Sequence, residues 1–153
     1  MIRIALYQPD IPQNTGTLLR LGACLDISLD IIGPAGFTLS DKALRRAGMD
    51  YLDQANMSLH VSWDAFRRSS AAGAGRIVLL TTRSDLPYTD FRFQKDDILL
   101  LGRESAGVPD SVHDSAAARI VIPMRAGARS LNMALAAAMV AGEALRQLAG
   151  LDA

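Results

Sequence analysis

Two short runs leave this chain few choices of fold. Ile77-Val78-Leu79-Leu80 and Ile98-Leu99-Leu100-Leu101 are each four apolar residues in a row, with no polar residue between them. A strand with one face in water alternates, whereas an unbroken run of this length reads as a strand buried on both faces, and such strands belong to parallel sheets covered by helices. Residues 2–7, 29–33, 76–82, 97–102 and 119–123 read as strands, with a weaker one at 58–61. Helical spacing falls between them at 15–25, 40–47, 63–72 and 108–115, with Ser40 as the N-cap of the second helix. A long last helix is expected at 130–149, stopped by Gly150. On it Leu131, Leu135, Ala138, Met139, Gly142 and Leu145 fall at three- and four-residue spacing, a face on which a ligand or a dimer partner could come close. Strands alternating with helices predict an α/β fold with a mostly parallel sheet. The 153 residues hold no internal repeat and no low-complexity linker, so one domain over 1–153 is expected.

Composition narrows the function classes. Sixteen basic and sixteen acidic residues give zero formal net charge, so any nucleic-acid surface must be a local basic patch or one shared between subunits. Cys24 is the single cysteine, which excludes an internal disulfide and a cysteine-based zinc site, and its apolar neighbours place it on a buried helix face. His60 and His113 lie far apart in no metal-ligand spacing, so no metal is expected. The N-terminal residues read as a strand and not as a signal peptide, and the run from Ala134 to Ala144 is too short and too interrupted to span a bilayer. The expected location is the cytoplasm, with no membrane partner. No phosphate-binding P-loop is present, Gly73-Ala74-Gly75 lacks the third glycine of a dinucleotide fingerprint, and no nucleophile elbow appears.

Three segments have the composition of a site. In Asn14-Thr15-Gly16-Thr17-Leu18-Leu19-Arg20, after the first strand, Asn14 can cap a helix, Gly16 permits a close approach, and Arg20 offers a forked cation to phosphate or ribose oxygens. In Gly102-Arg103-Glu104-Ser105-Ala106-Gly107-Val108-Pro109, two glycines and a proline fix a tight loop whose main chain can read an adenine edge, with Glu104 inside it. In Ile122-Pro123-Met124-Arg125-Ala126-Gly127-Ala128-Arg129-Ser130-Leu131-Asn132, a strand ends, a small-residue loop follows, and Ser130 and Asn132 open the last helix, whose N-terminus presents free N–H groups.

In this order the three segments resemble the SPOUT methyltransferases, along essentially the whole chain. The opening Leu6-Tyr7-Gln8-Pro9-Asp10-Ile11-Pro12-Gln13-Asn14-Thr15-Gly16 and the segment Asp41-Lys42-Ala43-Leu44-Arg45-Arg46-Ala47-Gly48-Met49-Asp50-Tyr51 are similar to the single-domain branch that methylates the wobble ribose of tRNA. The resemblance implies a parallel sheet with helices on both faces and a deep C-terminal trefoil knot. It implies S-adenosylmethionine held largely by main-chain groups at Leu80, Thr81, Gly102, Glu104, Ile122, Met124, Ser130 and Leu131. It also implies a homodimer, with the tRNA anticodon stem-loop lying across both subunits. Arg20 matches the residue that the family assigns to the reacting ribose. With a pKa above about 12 an arginine is a poor base, so Arg20 is expected to orient the ribose or its phosphate. Lys42, Arg45 and Arg46, with Arg125 and Arg129, are the expected RNA contacts, and Asn14 and Asn132 complete the substrate side.

The chain departs from the branch at Arg103, where relatives carry proline, and at Gly142, where they often carry tyrosine. The loop 125–128 lacks their acidic residue. Two other readings stay open: a 2′-O-methyltransferase acting on rRNA or on another tRNA position, and a non-catalytic RNA-binding module, for which Gly142 is the one feature.

Overall fold

The computed structural model describes residues 1–73 and 75–149, with the backbone alone at residues 49 and 50. Strand β1 (Arg3–Tyr7) leads through helix α1 (Pro12–Leu25) to β2 (Ser28–Ile32). Helix α2 (Lys42–Gly48), a 3₁₀ turn (Met49–Asp53) and β3 (Met57–His60) follow, then α3 (Trp63–Arg68) and α4 (Ser70–Gly73). The second half runs β4 (Ile77–Leu80), β5 (Ile98–Leu101), α5 (Asp110–Ser115), β6 (Ala118–Ile120) and α6 (Met133–Ala149).

The six strands form one sheet in the order β3-β2-β1-β5-β4-β6, and every pairing is parallel. From β1 the chain steps outward to β2 and β3, then crosses to the far half. The direction of winding therefore reverses between β1 and β5, and ligands of open α/β sheets bind at such a point, beyond the carboxyl ends of the strands.

Both faces of the sheet are buried, as the unbroken apolar runs require. Ile4, Leu6, Leu99 and Leu101 point into a layer shared with Leu18, Leu19, Ala137 and Val140 of α1 and α6. Their neighbours Ala5, Tyr7, Ile98 and Leu100 point the other way, to Phe66 of α3 and Val112 of α5. The period of two along each strand divides one apolar run between two cores.

Several local expectations are corrected. Asp41, not Ser40, caps α2, its carboxylate accepting from the N–H groups of Ala43 and Leu44 at 2.8 and 3.2 Å. α1 begins at Pro12, because proline fits the first helical position, where no N–H is needed. Asn14 is thereby moved inside the helix and does not cap it. α6 begins at Met133 and not at residue 130, since Asn132 Oδ1 accepts from Ala134 and Leu135 N–H at 2.9 and 3.2 Å. The expected helix at 63–72 is broken at Ser69, whose backbone is extended and whose hydroxyl donates to the Phe66 carbonyl. Cys24 is exposed, not buried. On α6 the face turned inward is Ala134, Ala137, Ala141, Ala144 and Leu148, while Leu135 and Met139 stand 62% and 44% exposed. The proposed stop at Gly150, and Ala74 of the glycine-rich loop, lie outside the described residues.

Gly16 fixes how α1 meets α2. A Cβ added there would stand 2.4 Å from the Leu44 carbonyl oxygen and 2.7 Å from the Ala47 Cβ. In an open helix, Gly→Ala stabilises by about 1 kcal/mol. Here Gly16→Ala is expected to destabilise by about 1–3 kcal/mol through overpacking against backbone, read as a lower urea midpoint. A raised midpoint would show that the two helices are free to separate.

Candidate active site

The loops that leave β4, β5 and β6 meet beyond the carboxyl ends of the strands and enclose an open cleft of about 260 Å³. That is close to the lower bound of the roughly 300–1,000 Å³ clefts that take small ligands. Leu80 and Thr81 line it from the end of β4, Gly102 and Glu104 from the loop after β5, Ile122 and Met124 from the segment after β6, and Ser130 and Leu131 from the approach to α6. The eight residues singled out as cofactor-binding thus share one wall system. Its floor is apolar, with Leu101, Val108 and Ala136 beside them.

The loop after β5 is held by its own main chain. Arg103 N–H donates to the Gly107 carbonyl at 3.1 Å and Gly107 N–H donates back to Arg103 at 2.8 Å. A Cβ on Gly102 would lie 2.7 Å from the Gly107 Cα, and Gly107 has a φ of +65°, so this crossing needs glycine at both places.

A directed chain of side chains leads to Glu104 on the wall of the cleft. Asn132 commits its carbonyl oxygen to the first amides of α6, which turns its amide nitrogen toward Asn14 Oδ1 at 3.0 Å. Asn14, with its own oxygen so occupied, donates through Nδ2 to Glu104 Oε1 at 3.4 Å. Glu104 Oε2 accepts the Asp10 N–H at 2.9 Å. Burial, and then the facing Asp10 carboxyl, push the Glu104 carboxyl above its ordinary range. Asp10 moves the opposite way, to about 2, through its interaction with the neighbouring Glu104 carboxyl, the hydrogen bond from the Ser105 hydroxyl and the nearby Arg103 charge.

Not every expected residue reaches the cleft. Arg20 is not among the residues lining it; its guanidinium lies over the Tyr51 ring, 5.6 Å from the centroid. Lys42, Arg45 and Arg46 are exposed together on α2, at the spacing that puts three side chains on one helix face. Because α2 is locked to α1 at Gly16, this basic face and Arg20 belong to one packed pair of helices. Arg125 and Arg129 are exposed on the loop between Met124 and Ser130. Gly142 is exposed, and a Cβ there would meet nothing within 4 Å, so the branch's tyrosine would have room.

Sequence reading assigned no role to Asp10, Ser105 or Tyr51. The only local signal for Asp10 was an acid in the loop following the first strand, at the carboxyl edge where sites gather.

Residues 1–142 match the SpoU rRNA methylase family, and that match covers the strands, the cleft loops and most of α6. The chain belongs to that family. A protein of Beijerinckia indica subsp. indica, named tRNA (cytidine(34)-2′-O)-methyltransferase, is 64% identical over 148 residues, which are 97% of this chain and 92% of the relative. A solved structure described by the 2-OH methylation of C/U34 on tRNA is 40% identical, with a TM-score of 0.92 over 98% of this chain and 97% of that one. The SpoU methyltransferase AviRb from Streptomyces viridochromogenes, solved in complex with the cofactor AdoMet, is 27% identical, with a TM-score of 0.83 over 97% of this chain and 60% of that one. The likeness of these solved structures to this chain bears out the α/β fold with a mostly parallel sheet that the alternating pattern predicted.

Proposed function

We propose that this protein methylates the ribose 2′-hydroxyl of the wobble cytidine or uridine of tRNA, using S-adenosylmethionine. The observation that carries this reading is the 64% identity, along nearly the whole of both chains, to a protein named for that reaction. Identity to the rRNA-directed neighbour from Sinorhizobium meliloti is 26%, which favours the tRNA reading over rRNA.

The cleft suits the cofactor by its donor set: an apolar floor for a purine, hydroxyls at Thr81 and Ser130, and one acid, Glu104, on the wall. Leu80, Thr81, Gly102, Glu104, Ile122, Met124, Ser130 and Leu131 would hold it. When bound, it supplies a methyl group already activated on a sulfonium. The remaining task of the protein is to hold a ribose oxygen in line and let its proton leave. Arg20 orients the ribose or its phosphate through a rigid fork, and Asn14 and Asn132 set the direction of the hydrogen bonds ending on Glu104. Lys42, Arg45, Arg46, Arg125 and Arg129 take phosphates of the anticodon stem-loop.

A second copy of the chain completes the enzyme. Leu131, Leu135 and Met139 leave an apolar face beside α1, where Leu25 is also exposed, and such a face supports a homodimer. Leu135→Asp is expected to give a monomer by light scattering, and an unchanged dimer would move the interface elsewhere. The reading also places the protein in the cytoplasm with its tRNA. It takes the chain path as carrying the C-terminal trefoil knot that the family resemblance implies.

The test is methyl transfer from labelled S-adenosylmethionine to unmodified tRNA transcripts, with nucleoside mass spectrometry locating the mark. A mark on rRNA, or none with cofactor bound, would replace this reading. If Lys42, Arg45 and Arg46 each hold one phosphate, their triple alanine variant should reduce the slope of log affinity against log salt by about 2. An unchanged slope would remove α2 from the RNA interface.

A further inference from the structure

Asp10 is not explained by the reading above. Its N–H holds Glu104 Oε2, so its own carboxyl is brought beside that of Glu104 where the winding of the sheet reverses. Asp10 Oδ2 accepts from the Ser105 hydroxyl and lies 3.4 Å from Arg103 Nε, and Arg103 Nη1 donates to Gln8 Oε1 at 3.4 Å. Asp10 Oδ1 is buried and has no hydrogen-bond partner among the protein's own groups. A buried carboxylate oxygen without a donor is costly, by about 1–3 kcal/mol or more for a charged group. Two ionised carboxylates at hydrogen-bonding range repel, and such pairs settle by holding a single proton between them. One proton answers both problems: it gives Oδ1 a donor and removes the repulsion.

We propose that Asp10 is a positioning residue of the cofactor cleft, sharing one proton with Glu104 and thereby pinning the 102–107 loop to the loop that follows β1. Arg103 and Ser105 hold the ionised partner, Asp10, so the proton resides on Glu104. The pin joins two loops, since Glu104 lines the cleft with Ser105 next to it in sequence, while Asp10 belongs to the loop between β1 and α1. The direction of the shifts agrees with this arrangement: Asp10 is held far below the usual carboxylate range and Glu104 above it. The sign for pH follows. Glu104 favours its neutral form in the folded protein, so the stabilisation is present below its ordinary value of 4.5 and is lost as pH rises through its raised value. Asp10 works in the other sense, its contribution being lost only as pH falls toward about 2.

The inference rests on the reading that this cleft takes S-adenosylmethionine, and two measurements separate the two. The first needs no ligand: carbon-13 titration of the Glu104 side-chain carboxyl in the full-length protein, wild type against Asp10→Asn. Asparagine keeps the size and a hydrogen-bonding group but removes the second acid, so Glu104 is expected to titrate at a clearly lower pH in the variant. An identical Glu104 titration in both proteins would overturn the shared proton. The second is calorimetric binding of S-adenosylhomocysteine between pH 5 and 9. Wild-type affinity is expected to fall several-fold more across this range than that of Asp10→Asn, whereas Asp10→Ala should bind at least ten-fold more weakly at pH 6 with its melting curve intact. If Asp10→Ala does not fold, the Asp10→Asn profile decides alone. Equal profiles, or Asp10→Ala affinity within two-fold of wild type, would overturn the positioning role. A wild-type protein that binds no S-adenosylhomocysteine would instead overturn the cofactor reading, and the carboxyl titration would still decide the pair.

Discussion

Replacing Arg20 by alanine is expected to lower kcat/KM for methyl transfer to tRNA by at least about a hundred-fold, while the melting temperature hardly moves. Arg20 is exposed on α1 and stacks over Tyr51, a surface cation–π contact worth about 0.5–1 kcal/mol. Its value to the reaction is of another kind. A hundred-fold loss corresponds to about 2.7 kcal/mol of barrier, a magnitude that misplacement of a reacting group by an ångström can reach. Tyr51 and the tight contact at Gly16 hold the guanidinium to a defined direction, which a flexible lysine would not reproduce. Arg20→Lys is therefore expected to keep less than a tenth of the turnover, and Tyr51→Ala an intermediate amount. Near-normal turnover in Arg20→Lys would show that charge alone suffices and that the fork is unnecessary.

The largest effect on stability is expected at Arg76, far from the cleft. Its Nε and Nη2 donate to the two oxygens of Asp97 at 2.8 Å each, and Asp97 also accepts the Gln94 N–H at 2.8 Å. The Asp97 side chain is 1% exposed, so its oxygens depend on these donors for their hydrogen bonds. Arg76 also donates to the Arg92 carbonyl at 3.0 Å and lies 5.1 Å from the centroid of Phe91, tying the long β4–β5 connection to the start of β5. Removing one partner of a buried ion pair typically costs about 3–5 kcal/mol. Arg76 itself is 35% exposed, so water can enter the vacated space, and about 3 kcal/mol is expected for Arg76→Ala by urea unfolding. The double variant Arg76→Met with Asp97→Leu should recover much of the loss, because it leaves no stranded carboxylate. A cost under about 1 kcal/mol for Arg76→Ala would mean that Asp97 finds its donors elsewhere.

What the sequence disclosed depended on how local each cause was. β4 and β5 were readable because four adjacent apolar residues report burial on both faces without reference to anything distant. The eight cleft residues came from the resemblance, and the loops that carry them converge because the sheet reverses its winding between β1 and β5. Caps were less readable. Ser130 and Asn132 are both good N-caps two residues apart, and the choice fell to Asn132, which also meets Asn14, 118 residues earlier. Asn14 in turn looked like a cap until Pro12 took the start of the helix. Asp10 carried almost no local signal, since Glu104 and Ser105 stand 94 and 95 residues further along. On α6 the spacing of Leu135 and Met139 marked a face for a ligand or a partner but not the inward face, which close packing gave to the alanines.

The bond between Asn132 and Asn14 has a consequence for how the enzyme comes into being. On a ribosome adding roughly 5–20 residues per second, roughly 6–24 s pass between the synthesis of Asn14 and that of Asn132. In that interval the cleft walls after β4, β5 and β6 are added in turn, while Asn14 still lacks the donor that occupies its oxygen. A nascent or truncated chain that stops before α6 would therefore have most of its sheet but no oriented Asn14. Methylation capacity should appear only once Asn132 and the start of α6 are in place.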